Sequence, residues 1–82
     1  MDRTEFLEMC QKVAVLPRGV LGIKVVPPEL CVTYKGINFY PEGYKMTYEG
    51  SGKPLHTAIL HDLKTFSLIE CELSKVERMC QE

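Results

Sequence analysis

Apolar residues in the first part of the chain recur at the spacing of a helix. Charged and polar residues occupy the opposite side, so one face is apolar. Asp2 and Glu5 have the spacing of a capping box at the start, and Pro17 disfavours helix at the residue before it. The pattern predicts a helix over residues 1–16, with an apolar stripe formed by Phe6, Leu7, Cys10, Val13 and Ala14.

From residue 30 onward the apolar positions alternate with a period of two, which is typical of half-buried strands. Tight turns are predicted at Lys35-Gly36 and at residues 50–54, whereas residues 41–43 interrupt the alternation. Ser74 and Glu77 have capping-box spacing and predict a short helix over 74–82. The predicted strands cover residues 30–34, 37–40, 44–49, 55–63 and 69–73.

These elements predict one α+β domain over residues 1–82. It consists of an N-terminal helix, a five-stranded antiparallel meander and a short C-terminal helix. The β-domain spans residues 30–73, and five strands of this length form either an open sheet or a small SH3-like barrel. The sequence leaves these two alternatives open.

Residues 17–29 connect the helix to the β-domain and are unusual in composition. Their three prolines and two glycines disfavour regular structure, yet the segment is strongly apolar. One interpretation is that it packs on the β-domain, since a small domain needs every apolar residue for its core. The other is that it forms an oligomer or partner surface, and on this basis we expect a homo-oligomer. The residues concerned are Val20, Leu21, Ile23, Val25 and Val26.

The charge of the chain argues against a general nucleic-acid binder. Ten basic residues face eleven acidic ones, for a net charge of −1. The N-terminus is charged and lacks the apolar stretch of an export signal, so we expect a cytoplasmic protein with reduced thiols. The four cysteines lack zinc-ligand spacing, and no metal or cofactor is expected. They are Cys10, Cys31, Cys71 and Cys80.

No catalytic constellation is predicted, and the chain is not expected to be an enzyme. His56 and His61 are separated by an odd number of residues in one predicted strand, which places them on opposite faces. A contact between Cys71 and His61 is conceivable across paired strands. However, Cys71 alternates with apolar residues and has the pattern of a core position.

A cluster of tyrosines is the clearest candidate for binding. Tyr44 and Tyr48 share a face, and Tyr40 joins them unless residues 41–43 reset the register. Tyrosine can stack on a base or pack in a sheet, and the sequence leaves both roles open. Arg18 is the favoured phosphate ligand because a guanidinium grips phosphate through two donors. The predicted ligand-binding set is Arg18, Lys35, Tyr40, Tyr44, Tyr48 and His56.

Three stretches of the chain resemble small uncharacterised proteins from bacteriophage and prophage genomes. They are Leu16-Pro17-Arg18-Gly19, residues 34–44 and residues 56–64. The resemblance implies a viral protein in a bacterial cytoplasm. It favours a counter-defence factor that sequesters a small nucleotide signal or blocks a host defence protein. An SH3-like module that binds nucleic acid or protein is the alternative, and a small Cys/His hydrolase is the least favoured.

Overall fold

A computed structural model describes residues 1–48, 50 and 52–79 and shows one helix with a five-stranded antiparallel sheet. The elements are α1 (Arg3–Ala14), β1 (Val32–Tyr34), β2 (Ile37–Tyr48), β3 (Pro54–Asp62), β4 (Leu68–Glu72) and β5 (Glu77–Arg78). The strand order is β4-β3-β2-β1-β5, with β4 and β5 at opposite edges. The predicted α+β class is therefore confirmed, in its open-sheet form.

Helix α1 ends at Ala14, two residues before the predicted end at residue 16, and its N-terminus is stabilised differently from the prediction. Asp2 takes the extended N-cap conformation, yet its side chain makes no capping hydrogen bond. The predicted capping box is therefore wrong, because Glu5 instead forms an ion pair with Arg78 of β5. At the other end, Lys24 Nζ donates to the carbonyl oxygens of Val13 (2.8 Å) and Ala14 (3.4 Å). A cation at this end also compensates the helix dipole.

Strand β2 merges the two strands predicted at 37–40 and 44–49. Pro41 still pairs with Leu60 of β3, and the register then shifts between Pro41 and Gly43. Glu42 is the extra residue of a β-bulge. A bulge is also a place at which a central strand tolerates a proline, here Pro41. The insertion resets the alternation, so Tyr40 and Tyr44 point to opposite faces of the sheet.

The predicted C-terminal helix is wrong within the residues that the structure describes. A single 3-10 turn at Leu73–Lys75 is followed by β5, whose two residues pair with Val32 and Thr33 of β1. Val76, which lies between this turn and β5, is fully buried. Pairing with the free edge of β1 satisfies the backbone hydrogen bonds of β5 and allows the Val76 side chain to be buried. A solvated terminal helix would leave that side chain exposed. Residues 80–82 of the predicted helix, residue 49 of the predicted strand 44–49 and residue 51 of the predicted 50–54 turn lie outside the described part of the chain.

Two clusters of buried residues form the core, and α1 contributes to both. In the larger cluster, Phe6 and Met9 of α1 pack against Val32, Phe39, Ala58, Leu60, Cys71, Leu73 and Val76. In the smaller, Val13 packs with Cys31 and Tyr40, supported by Val26, Leu30, Leu63 and Met79. Tyr40 is therefore a core residue. Among the described residues, no helix has the length and apolar character required to cross a membrane.

Candidate functional site

The most exposed apolar residues lie in one segment between α1 and β1, residues 18–25, which we call the apolar loop. Val20, Leu21 and Val25 are 88%, 89% and 90% exposed. The interpretation that residues 17–29 pack on the β-domain is therefore wrong for these three residues. Ile23 is half-buried, and Val26 packs against the smaller core cluster. Only part of the connector thus serves the core.

Backbone contacts within the apolar loop hold it in a defined shape. Arg18 and Lys24 form an antiparallel bridge, and Gly19 N donates to Ile23 O at 2.7 Å. Any Cβ at Gly19 would lie 3.1 Å from that same oxygen, so glycine permits the close approach. Leu21 at the tip has φ +67°, a left-handed conformation that costs a leucine roughly 1–2 kcal/mol. Such strain is concentrated at functional sites.

Arg18 connects the apolar loop to a polar group at the bulge, which we call the bulge cluster: Arg18, Tyr40, Glu42 and His61. Arg18 Nη1 donates to Gly22 O at 2.9 Å, and Nη2 lies 3.6 Å from Glu42 Oε1. Glu42 Oε2 lies 3.6 Å from His61 Nδ1. The bulge thus directs the carboxylate of Glu42 to a position between the loop and the sheet.

His61 and Tyr40 occupy the inner part of the bulge cluster. The Tyr40 hydroxyl and His61 Nδ1 form a 2.8 Å hydrogen bond, and the two rings stack with centroids 4.8 Å apart. Burial raises the pKa of Tyr40, the Glu42 carboxylate raises it further, and Arg18 opposes both. The phenol is therefore a protonated hydrogen-bond partner and not a base. His61 Nε2 is buried without a hydrogen-bond partner among the described residues.

A second tyrosine–histidine pair lies on the opposite face, where Tyr44 hydrogen-bonds His56 Nδ1. Their rings stack with centroids 5.9 Å apart, and the Arg3 guanidinium carbon lies 6.0 Å from the centre of the Tyr44 ring. The two histidines thus lie on opposite faces of β3, as predicted. Each histidine is thus hydrogen-bonded to a tyrosine through Nδ1.

The six side chains predicted to bind a ligand lie in three places. Arg18 and Tyr40 meet through the bulge cluster, and Tyr44 contacts His56 on the other face. Tyr48 shares that face but lies toward the end of β2, where it is 67% exposed. Lys35 lies in the β1–β2 turn, with Nζ 5.5 Å from the centre of the Tyr34 ring. Glu42 and His61 are additions to the predicted set, and the interrupted alternation at 41–43 was the available signal for Glu42.

The described cysteines are free, as predicted for Cys10, Cys31 and Cys71; Cys80 lies outside the described residues. The register places Cys71 opposite Ala58 and His61 opposite Leu68, so the conceivable Cys71–His61 contact is wrong. Burial raises the pKa of all three thiols, and that of Cys10 reaches about 11. They are protonated near neutral pH and are poor nucleophiles.

A cleft of about 380 Å³ opens between the end of α1, the apolar loop and the bulge. Its lining combines two cations and one carboxylate with a thiol and apolar walls. The residues are Cys10, Val13, Ala14, Leu16, Arg18, Lys24, Pro41 and Glu42. Within the described part of the chain, no group of three or more histidine, cysteine, aspartate or glutamate side chains could hold a metal ion.

Comparison with known proteins supplies no further guide to the function of this site. No protein-family model matches the chain, and no curated protein or solved structure is significantly similar to it.

Proposed function

We propose that this chain is a non-enzymatic binding protein of the bacteriophage counter-defence kind. It blocks a host defence protein by docking the apolar loop onto that protein. The observation that supports this most is the exposure of Val20, Leu21 and Val25 on a loop with its own hydrogen bonds. Contiguous exposed apolar surface is typical of interaction sites, and a preformed loop loses little conformational freedom on binding.

The contacts of the reactive side chains support a binding role over catalysis. His61 is stacked on Tyr40 and His56 on Tyr44, with each Nδ1 hydrogen-bonded to the tyrosine. The described thiols have raised pKa values, and none is hydrogen-bonded to a histidine. A nucleophile activated by an adjacent base is therefore not formed by the cysteines and histidines of the described residues.

Capture of a small nucleotide signal is the alternative form of the same proposal. Tyr44 and Tyr48 would offer stacking surface on one face. Arg18, the favoured phosphate ligand, lies beside Tyr40, whose side chain points to the opposite face. The geometry therefore supports the blocking of a protein better than the capture of a nucleotide between these tyrosines and Arg18.

We also propose that the protein forms a homo-oligomer in the bacterial cytoplasm when the loop is not docked on a host protein. The three exposed loop residues that would contact a host protein can equally contact a second copy. A second copy and a host protein would bind the same loop. Self-association buries the loop, whereas blocking requires the loop to be accessible to the host protein.

Phage plating on bacteria that carry defined defence systems tests the proposed function. The chain is expressed in cells that each carry one system, and the plating efficiency of a phage restricted by that system is measured. We expect the parent chain to restore plating against at least one system and Leu21→Ser to lose this effect. Leu21 is almost fully exposed, so the substitution removes the apolar tip without opening a cavity.

Val15→Ser is the matched control, because Val15 is also apolar and 81% exposed but lies at the C-cap of α1. It should retain the protection given by the parent chain. Equal protection by Leu21→Ser and Val15→Ser at equal protein levels would contradict the role of the loop. No protection by the parent chain across the tested systems would contradict the proposed function itself.

A further inference from the structure

We propose that the cleft at the base of the apolar loop binds a phosphate group, either inorganic phosphate or the phosphate of a monoester. The starting observation is the antiparallel bridge between Arg18 and Lys24. Like charges on directly opposed residues repel each other. Both side chains nevertheless line one cleft, in which the carboxylate of Glu42 is the only acidic group among the described lining residues. The ionised side chains of that lining therefore leave one positive charge in excess.

Both cations have donors to spare after their contacts within the chain. A guanidinium carries five N–H donors, and Arg18 gives one to Gly22 O. Its 3.6 Å separation from Glu42 is longer than a hydrogen bond. Lys24 directs two of its three donors to carbonyl oxygens at the end of α1. Spare, forked donors beside a second cation match the oxygens of a phosphate, which arginine binds through two parallel hydrogen bonds.

The remaining walls of the cleft add no negative charge to it. Val13, Ala14 and Leu16 at the end of α1, together with Pro41, are its uncharged apolar lining residues. The Cys10 thiol is neutral near physiological pH because its pKa is raised to about 11, so it adds no negative charge. A volume of about 380 Å³ accommodates a phosphate and leaves room for part of an organic substituent.

The Glu42 carboxylate is expected to oppose phosphate binding. Its carboxylate lies near the Arg18 guanidinium and repels an entering anion, so it competes with phosphate for the same cation. Replacing it with the isosteric, neutral glutamine should therefore strengthen phosphate binding. A gain of affinity cannot come from damage to the fold, which distinguishes this variant from those that remove a cation.

The experiment is a titration of the isotope-labelled full chain with sodium phosphate, followed by amide NMR shifts at constant ionic strength and near neutral pH. Sodium chloride serves as the reference salt. We expect saturable shifts at residues around the cleft and about tenfold weaker binding for Arg18→Gln and Lys24→Gln. Glu42→Gln should bind about two- to fivefold more tightly. Lys12→Gln, with the same charge change on the exposed side of α1, should bind as the parent does.

Three results would overturn the proposal: shifts no different from those in chloride, equal weakening by Lys12→Gln and the two cleft variants, or weaker binding by Glu42→Gln. Spectra of the unliganded variants show whether the loop has kept its structure. Should either cleft variant disturb it, the sign of the Glu42→Gln effect still decides the outcome. None of these results bears on whether Leu21 is needed for counter-defence.

Discussion

The thiol of Cys10 is half-buried between α1 and the bulge, and its pKa is raised to about 11. Burial is the main cause and the Glu42 carboxylate the second. A thiol with the opposite environment, exposed beside a cation, would have a lowered pKa and would be reactive. Cys10 therefore acts as a small apolar residue, as its position on the helical stripe predicts.

The raised pKa of Cys10 predicts a loss of stability at alkaline pH. The unfolded thiol releases its proton near pH 9, whereas the folded thiol holds it to about pH 11. Between these values the unfolded state binds fewer protons, so the free energy of unfolding falls as pH rises. Below pH 9 the contribution is fully present. Urea denaturation across this range should show a smaller decline for Cys10→Ala than for the parent. Identical declines would show that Cys10 does not contribute.

The four residues of the bulge cluster illustrate what single-residue patterns can and cannot reveal. Arg18 and Tyr40 were predicted as binding residues from their chemistry alone. The sequence predicts a strand break at Glu42, because the proline and glycine on either side of it resemble a turn. His61 was placed on the correct face, but its stacking on Tyr40 depends on the β2–β3 register across the bulge. That register is a tertiary property and leaves no local signal.

At the scale of elements, the β1–β2 hairpin is the best match between sequence and structure. Lys35 and Gly36 form its predicted two-residue turn, with φ values of +51° and +77°. Positive φ at both central residues is the signature of a type I′ turn, which favours asparagine followed by glycine. Gly36 fits this turn without strain, whereas the lysine that precedes it does not.

Replacing Lys35 with asparagine should therefore stabilise the fold. Asparagine tolerates the left-handed conformation better than lysine, and we expect a gain of about 0.5 kcal/mol in the free energy of unfolding. Lys35→Val is the matched control and should destabilise the fold, since a β-branched residue strongly disfavours positive φ. Both substitutions remove the same contact with the Tyr34 ring, so their difference isolates the backbone effect. Urea denaturation that finds the valine variant more stable than the asparagine variant would contradict this account.

The elements that were predicted incorrectly share one physical cause. The two predicted strands form one strand because β3 pairs with β2 both before and after Glu42. Residues 77–78 form β5 and not a helix, because the edge of β1 provides hydrogen-bond partners for their backbone. Both outcomes depend on strands far away in sequence, whereas α1 and the first hairpin depend on local patterns. Local periodicity thus predicted the elements whose hydrogen bonds are themselves local.

For the molecule as a whole, the sequence identified an unusually apolar connector but not where it would lie. The need of a small domain for core residues favoured packing on the sheet, and this holds for Val26. Val20, Leu21 and Val25 remain outside because the bridge between Arg18 and Lys24 closes the loop on itself. Once its backbone is satisfied internally, the loop projects its apolar side chains into solvent.

The exposed loop leads to the prediction that the protein is a dimer or a multiple of a dimer. Apolar tips that face solvent lose contact with water when two copies meet, and closed twofold assemblies are the commonest arrangement. Light scattering over a wide concentration range should show the oligomer for the parent chain and for Leu21→Met, which keeps the apolar tip. Leu21→Asp should shift the mass toward the monomer, because an aspartate buried at the interface would lose its hydration. A monomeric parent chain at every concentration would contradict the prediction and leave the loop free for a host protein. An oligomer unaffected by Leu21→Asp would show that the copies associate through another surface.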